Sequence, residues 1–222
     1  MKKYKLVIFD MDGTILDTLE DLKRATNHAL KRYDMPERSL EEVRAFVGNG
    51  IRKLMERAVV EGTSGDLFEK VLNEFQIFYK KHSMDTTKPY NGIVALLRKM
   101  RALGYKTAVV SNKIDFAVQD LVQDFFEGLF DMAVGDRPDF EKKPSADSVK
   151  FVMRSLGVKS EETIYIGDSD VDLQTAKNAD LDCIAVEWGF RDRLFLEEHG
   201  ATNFAKQPED ILTFLEMKKK LE

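Results

Sequence analysis

At 222 residues the chain is long enough for one large domain or two small ones, and its 43% hydrophobic and 33% charged residues are those of a soluble globular protein. A net charge of -5 and a pI near 5.4 argue against a general nucleic-acid binder, whose surface would be basic. No apolar run approaches the roughly 20 residues needed to span a bilayer, and a lone cysteine, Cys183, excludes an internal disulfide and suits a reducing cytoplasm. Cys183 lies in an apolar run and reads as a buried structural thiol. His28, His82 and His199 show no ligand spacing, so no zinc site is expected.

In chain order, Met1-Lys2-Lys3-Tyr4 leads directly into Leu6-Val7-Ile8-Phe9, which leaves no room for a signal peptide. Those four apolar residues predict a short strand buried on both faces, the pattern of a parallel sheet covered by helices. The strand ends in Asp10-Met11-Asp12-Gly13-Thr14. From Asp17 to Met84 the period is helical. Leu19, Leu22, Ala25, Ala29 and Leu30 repeat at three and four until Pro36, and Ser39 with Glu42 forms a capping box. Gly48-Asn49-Gly50 breaks the pattern, which Ile51 to Val59 and Leu67 to Tyr79 resume. This block predicts an all-helical insert at residues 17–85, dividing a core made of residues 1–16 and 86–222.

From Pro89 helices alternate with strands. Ile93 to Leu103 is a helix closed by Gly104, and Lys106 to Val110 is a strand ending in Ser111-Asn112-Lys113. A helix from Ile114 to Phe125 precedes a short strand at Phe130 to Val134. Ser145 is the expected cap of a helix that carries Val149, Val152 and Met153 and closes at Gly157. Thr163 to Ile166 is a strand ending in Gly167-Asp168-Ser169-Asp170-Val171-Asp172. Leu181 to Val186 is the last strand before a terminal helix from Pro208. Such alternation predicts an α/β fold with a doubly wound parallel sheet and right-handed crossovers.

Each polar cluster follows a strand, and in such a sheet those loops gather at one edge. Asp10, Asp12, Ser111, Lys143 and Asp168 therefore converge from four separated places. Asp10 and Asp12 stand two apart in extended chain and face the same side, so either they share a cation or one of them holds a proton. Three acids suit a hard divalent cation, magnesium commonly taking one or two carboxylates plus phosphate and water. A lysine and a serine hydroxyl beside that cation suit a dianionic phosphoryl group, and an aspartate can be its covalent acceptor. Calcium loops fit poorly. Ile15 and Asp21, and again Leu173 and Ala179, stand where an EF-hand needs Gly and Glu.

In this order the motifs closely resemble those of the haloacid dehalogenase superfamily of phosphohydrolases. Asp10-Met11-Asp12-Gly13-Thr14 matches the first motif, Ser111-Asn112 the second, Lys143-Pro144 the third, and Gly167-Asp168-Ser169 with Asp172 the fourth. The resemblance implies a Rossmann-like core with residues 17–85 as the helical cap, hinged near Leu16-Asp17 and Asp85 to Lys88. Cap motion would admit substrate and exclude water. It implies Asp10 as nucleophile and magnesium ligand, and Asp12 as general acid, then base, lending the metal its backbone carbonyl. Ser111 and the backbone of Asn112 would hold phosphate oxygens, and Lys143, rather than Lys142, would screen the charge at Asp10. Asp168 would complete the metal ligands, with Asp172 orienting them. The acid at position 12 argues against dehalogenase or phosphonate-cleaving activity.

Val47-Gly48-Asn49-Gly50 and Glu187-Trp188-Gly189-Phe190-Arg191 look like the phosphoglycolate phosphatase group, which makes 2-phosphoglycolate the leading substrate. Alternatives are a beta-phosphoglucomutase-like transfer to a sugar, or hydrolysis of pyrophosphate, sugar phosphates or nucleotides. Gly48 and Gly50 would allow close backbone approach to substrate, and Arg52 could meet its second anionic group; the plainer reading of Arg52 is a solvated helix-face residue. A phosphoaspartate receiver fits least, since receivers are shorter and lack the helical insert. The expected partner is a small phosphorylated metabolite, with no nucleic acid or membrane, for a cytoplasmic monomer or homodimer.

Overall fold

The computed structural model describes residues 4–220, so the Met1-Lys2-Lys3 start lies outside it. The first unit begins with β1 (Leu6–Phe9), and the chain leaves it through β2 (Leu16–Asp17). Four helices follow: α1 (Leu19–Arg32), α2 (Leu40–Phe46), α3 (Ile51–Ala58) and α4 (Gly65–His82). The chain returns through β3 (Lys88–Pro89), which pairs with β2. Then come α5 (Ile93–Ala102), β4 (Lys106–Ile114), α6 (Asp115–Phe126), β5 (Met132–Asp136) and α7 (Asp147–Leu156). The remainder is β6 (Thr163–Gly167), α8 (Asp170–Asn178), β7 (Asp182–Val186), α9 (Arg193–Glu198), β8 (Phe204–Ala205) and α10 (Pro208–Lys220).

Six strands form one sheet in the order β5-β4-β1-β6-β7-β8, each neighbouring pair parallel. The chain winds outward from β1 in one direction and then, from β6, in the other. This makes the carboxyl end of β1 a switch point, where a crevice opens between diverging connections. β1 is apolar throughout because helices cover both its faces. Leu6 and Ile8 pack with Ala108, Val110 and Tyr165 under Val149, Val152 and Met153 of α7 and Ala176 of α8. Val7 and Phe9 face the opposite layer, with Ile93, Leu97 and Met100 of α5 and Ile211, Leu212 and Leu215 of α10.

The chain divides into two compact units, one running up to Leu16 and resuming at Pro89, the other Asp17–Lys88. In the second, α1 packs on α4 and α2 on α3, closing over Leu22, Ala25, Leu54, Met55, Val71 and Phe75. The Ser39 and Glu42 capping box at the start of α2 is formed reciprocally.

Several boundaries differ from the pattern reading. α1 stops at Arg32, because Asp34 adopts a left-handed conformation (φ 54°) ahead of Pro36. Ala146, not Ser145, is the N-cap of α7; the Ser145 hydroxyl instead accepts the Asp147 N–H two residues on, a local turn. β5 begins at Met132 rather than Phe130, whose ring packs edge-on against Phe9 and Phe126. β4 continues through Ser111-Asn112-Lys113, all three buried, with a register irregularity between Val110 and Ile114. Cys183 is half-buried rather than sealed in the core.

Candidate active site

The parallel register aligns Phe9 with Val109 on one side and Ile166 on the other. The next residues along each strand therefore reach the same edge: Asp10 after β1, Ser111 and Asn112 within β4, and Asp168 after β6. The Asp10 N–H donates to the Ile166 carbonyl at 2.9 Å, which ties the turn to the sheet at the last apolar position. All these groups lie within the first unit.

Lys143 is the hub. Its Nζ lies 2.7 Å from Asp10 Oδ1, 2.8 Å from Asp172 Oδ1 and 3.0 Å from the Tyr165 hydroxyl, and the residue is only 5% exposed. Asn112 clamps its backbone from both sides, with Nδ2 donating to the Lys143 carbonyl at 3.0 Å and Oδ1 accepting its N–H at 2.8 Å. Lys142 points elsewhere, to Asp136 at 2.7 Å, and remains half-exposed. Burial opposes the Lys143 charge, but Asp10 and Asp172 outweigh it and hold the ammonium well above the usual lysine range.

The acids are held just as firmly. Asp168 accepts the Thr14 hydroxyl at 3.1 Å and the Phe190 N–H at 2.7 Å, and Trp188 in turn donates to the Thr14 carbonyl at 3.0 Å. Gly13, at φ 89°, makes this approach feasible, since a Cβ there would overlap the Asp168 carboxylate. Asp172 divides its oxygens. Oδ2 accepts the Ser169 hydroxyl at 2.6 Å and the N–H groups of Asp168 and Ser169, capping α8, while Oδ1 faces Lys143. The Asp12 carboxylate meets Lys113 Nζ at 2.9 and 3.2 Å.

The electrostatics favour a cation. Burial, then the Asp172 carboxylate, push Asp10 up to about 7 against the pull of Lys143. Burial, then Asp172 and Asp10, carry Asp168 well above the usual carboxylate range. Asp10, Asp168 and Asp172 each offer an oxygen, all within 4.8 Å of one another, and all three residues are buried. Four acids, Asp12 included, face two lysines, so ionised carboxylates leave two negative charges to offset. A hard dication relieves that repulsion without protonating the acids, and the all-oxygen donor set suits magnesium. The residues present thus fit such an ion.

Asp10, Asn112, Lys143, Asp168 and Asp172 are joined by these contacts; Asp12 meets Lys113, and Ser111 sits in β4 with its hydroxyl accepting the Lys113 N–H at 3.2 Å. Gly48, Gly50 and Arg52 belong to the other unit. There Gly50, at φ 84°, is the N-cap of α3, and Arg52 gives both terminal nitrogens to Glu69 at 2.8 and 3.0 Å. The sequence reading missed Lys113, Tyr165 and the Thr14–Asp168 bond. Lys113 stands in a motif already singled out, and its place beside Ser111-Asn112 at a strand end was the available signal.

The family model of the haloacid dehalogenase-like hydrolases matches residues 7–186. The phosphoglycolate phosphatase of Pseudomonas savastanoi pv. phaseolicola is 34% identical over 205 residues, covering 89% of this chain and 75% of its own. That of Aquifex aeolicus is 30% identical, covering 84% of this chain and 86% of its own. A crystal structure from Lactobacillus delbrueckii subsp. bulgaricus, provisionally named a phosphoglycolate phosphatase, superposes with a TM-score of 0.90 at 37% identity, covering 94% of this chain and 97% of that one.

Proposed function

The chain belongs to the haloacid dehalogenase-like hydrolases, and from that premise we propose that it hydrolyses a small phosphate monoester, 2-phosphoglycolate foremost, through an aspartyl phosphate on Asp10. The observation that carries the reading is the Asp10–Lys143 contact of 2.7 Å at the switch point of the sheet. Lys143 occupies Asp10 Oδ1, while Oδ2 carries no hydrogen bond among the described residues, so it is the oxygen available to attack. The named relatives support the substrate.

In the first step a bond forms from Asp10 to phosphorus and the ester P–O bond breaks, with Asp12 passing a proton to the leaving oxygen. In the second, water attacks phosphorus, the Asp10–phosphorus bond breaks, and Asp12 takes the proton from water. Lys143 offsets the charge gathering on Asp10 and the phosphoryl oxygens, and Ser111 with the Asn112 backbone binds those oxygens. Asp10, Asp168 and the Asp12 carbonyl would hold magnesium, which supplies electrostatic stabilisation of the transferring group. Asp172 holds Lys143 and the Asp168 backbone in place. The Asp17–Lys88 unit is the cap, and Gly48, Gly50 and Arg52 are its candidates for substrate contact. We place the enzyme in the cytoplasm.

The test is phosphate release from a panel of esters with magnesium, comparing the wild type with Asp10→Asn. The expected outcome is a wide lead for 2-phosphoglycolate and no turnover in the variant. Full activity in Asp10→Asn would sink the covalent route. Interconversion of glucose phosphates without release would move the assignment to a mutase.

A further inference from the structure

Lys113 is a second buried ammonium at the same sheet edge, and the chemistry outlined above does not use it. Its side chain is 3% exposed and that of Asp12 16%. Nζ contacts both Asp12 oxygens, at 2.9 and 3.2 Å. The backbone holds Lys113 there. Its N–H donates to the Ser111 hydroxyl at 3.2 Å, within the irregular end of β4. Asp10 and Asp172 are faced by Lys143, whereas Lys113 faces Asp12.

We propose that Lys113 is a positioning residue for Asp12, gripping both carboxyl oxygens so that the group cannot swing from the leaving oxygen before it serves the incoming water. This rests on the phosphatase reading, in which Asp12 carries the proton in both steps. The proton balance is unchanged: the proton moves between Asp12 and the ester or water oxygen, while Lys113 keeps its own.

The experiment compares wild type, Lys113→Met and Lys113→Gln on 2-phosphoglycolate and on p-nitrophenyl phosphate. The first releases an alkoxide that needs a proton, the second a phenolate that leaves without one. A well-placed general acid contributes about 10²–10⁴-fold, so loss of its orientation is expected to lower kcat/KM on the alkyl ester by about 10- to 100-fold. On the aryl ester kcat/KM, which reports only transfer to Asp10, is expected to change by less than about threefold. Its kcat falls, and an initial burst of nitrophenol precedes slow turnover, because water attack on the aspartyl phosphate also relies on Asp12. Equal losses in kcat/KM on both esters would mean a merely structural pair, and no loss on either would mean an idle one; both overturn the proposal. So does failure of both variants to fold, judged by thermal melting. A wild type inactive on both esters sinks the phosphatase reading itself, which separates that failure from this one.

Discussion

Asp21 offers a quantitative test of how the helical unit is closed. It sits in the first turn of α1 at 1% exposure and collects donors from the far end of the same unit. The N–H and hydroxyl of Thr87 reach Oδ2 at 2.9 Å each, the Thr86 N–H reaches it at 2.9 Å, and the Thr86 hydroxyl reaches Oδ1 at 2.7 Å. Asp21→Ala strands all four. The hydroxyls can rotate towards other acceptors and the amide of the exposed Thr86 can turn to water, but that of the buried Thr87 cannot, and a buried donor left unmade costs about 1–3 kcal/mol. With the lost charge-assisted bonds, the expected destabilisation is about 2–4 kcal/mol, a sizeable share of the 5–15 kcal/mol typical of a folded domain. Asp21→Asn keeps one carbonyl oxygen and is expected to lose roughly half as much. Burial alone would raise the Asp21 carboxyl, but the Thr86 and Thr87 donors outweigh it and hold it below the usual range. A depressed folded-state value means that the stabilisation is present in full above the unfolded value of about 3.9, and is lost as pH falls through the folded one. Urea unfolding across pH should therefore show a constant gap between wild type and Asp21→Asn near neutrality, narrowing in acid below about pH 4. A loss under about 1 kcal/mol in Asp21→Ala, or a gap that widens in acid, refutes the reasoning.

The first unit yields further tests. Gly13→Ala forces an alanine to φ 89° and drives its Cβ into the Asp168 carboxylate; unfolding by denaturant should show a cost of at least about 1–2 kcal/mol, together with loss of activity. Magnesium at 100 times its dissociation constant should stabilise the fold by about 2.7 kcal/mol, raising the melting temperature reversibly to chelator. Asp168→Asn should abolish that rise. Tyr165→Phe removes the hydroxyl that accepts Lys143 at 3.0 Å and donates to the Val110 carbonyl at 3.2 Å, and should cost about 1–3 kcal/mol in urea unfolding with the sheet otherwise intact.

The strands that build the sheet were legible because both their faces are apolar, and so were the acids that follow them. Asp10 and Asp168 could be placed at one edge from strand order alone. The missed pieces have a common cause: their meaning lies in distant partners. Ser111-Asn112-Lys113 reads as a polar exit from a strand, yet all three are buried. Lys113 looks like any surface lysine until Asp12, 101 positions away, is seen beside it. Tyr165 reads as one more apolar strand residue, since nothing local reveals that its hydroxyl meets Lys143. β2, β3 and β8 have two residues each, too few for any period to register. Ser145 failed as a cap because the helix starts two residues after it, at Asp147, which left its hydroxyl free to serve a local turn.

The divided carboxylate of Asp172 links construction to chemistry. One oxygen closes the first turn of α8, and the other anchors the lysine that faces Asp10. Three stretches far apart along the chain are thus latched by a single side chain, and none of them can be half-right while the latch is shut. The reactive edge is complete only when α8 is docked against the sheet, because Asp172 holds Lys143 from there. Turnover regained during refolding then reports a state in which that docking is already in place.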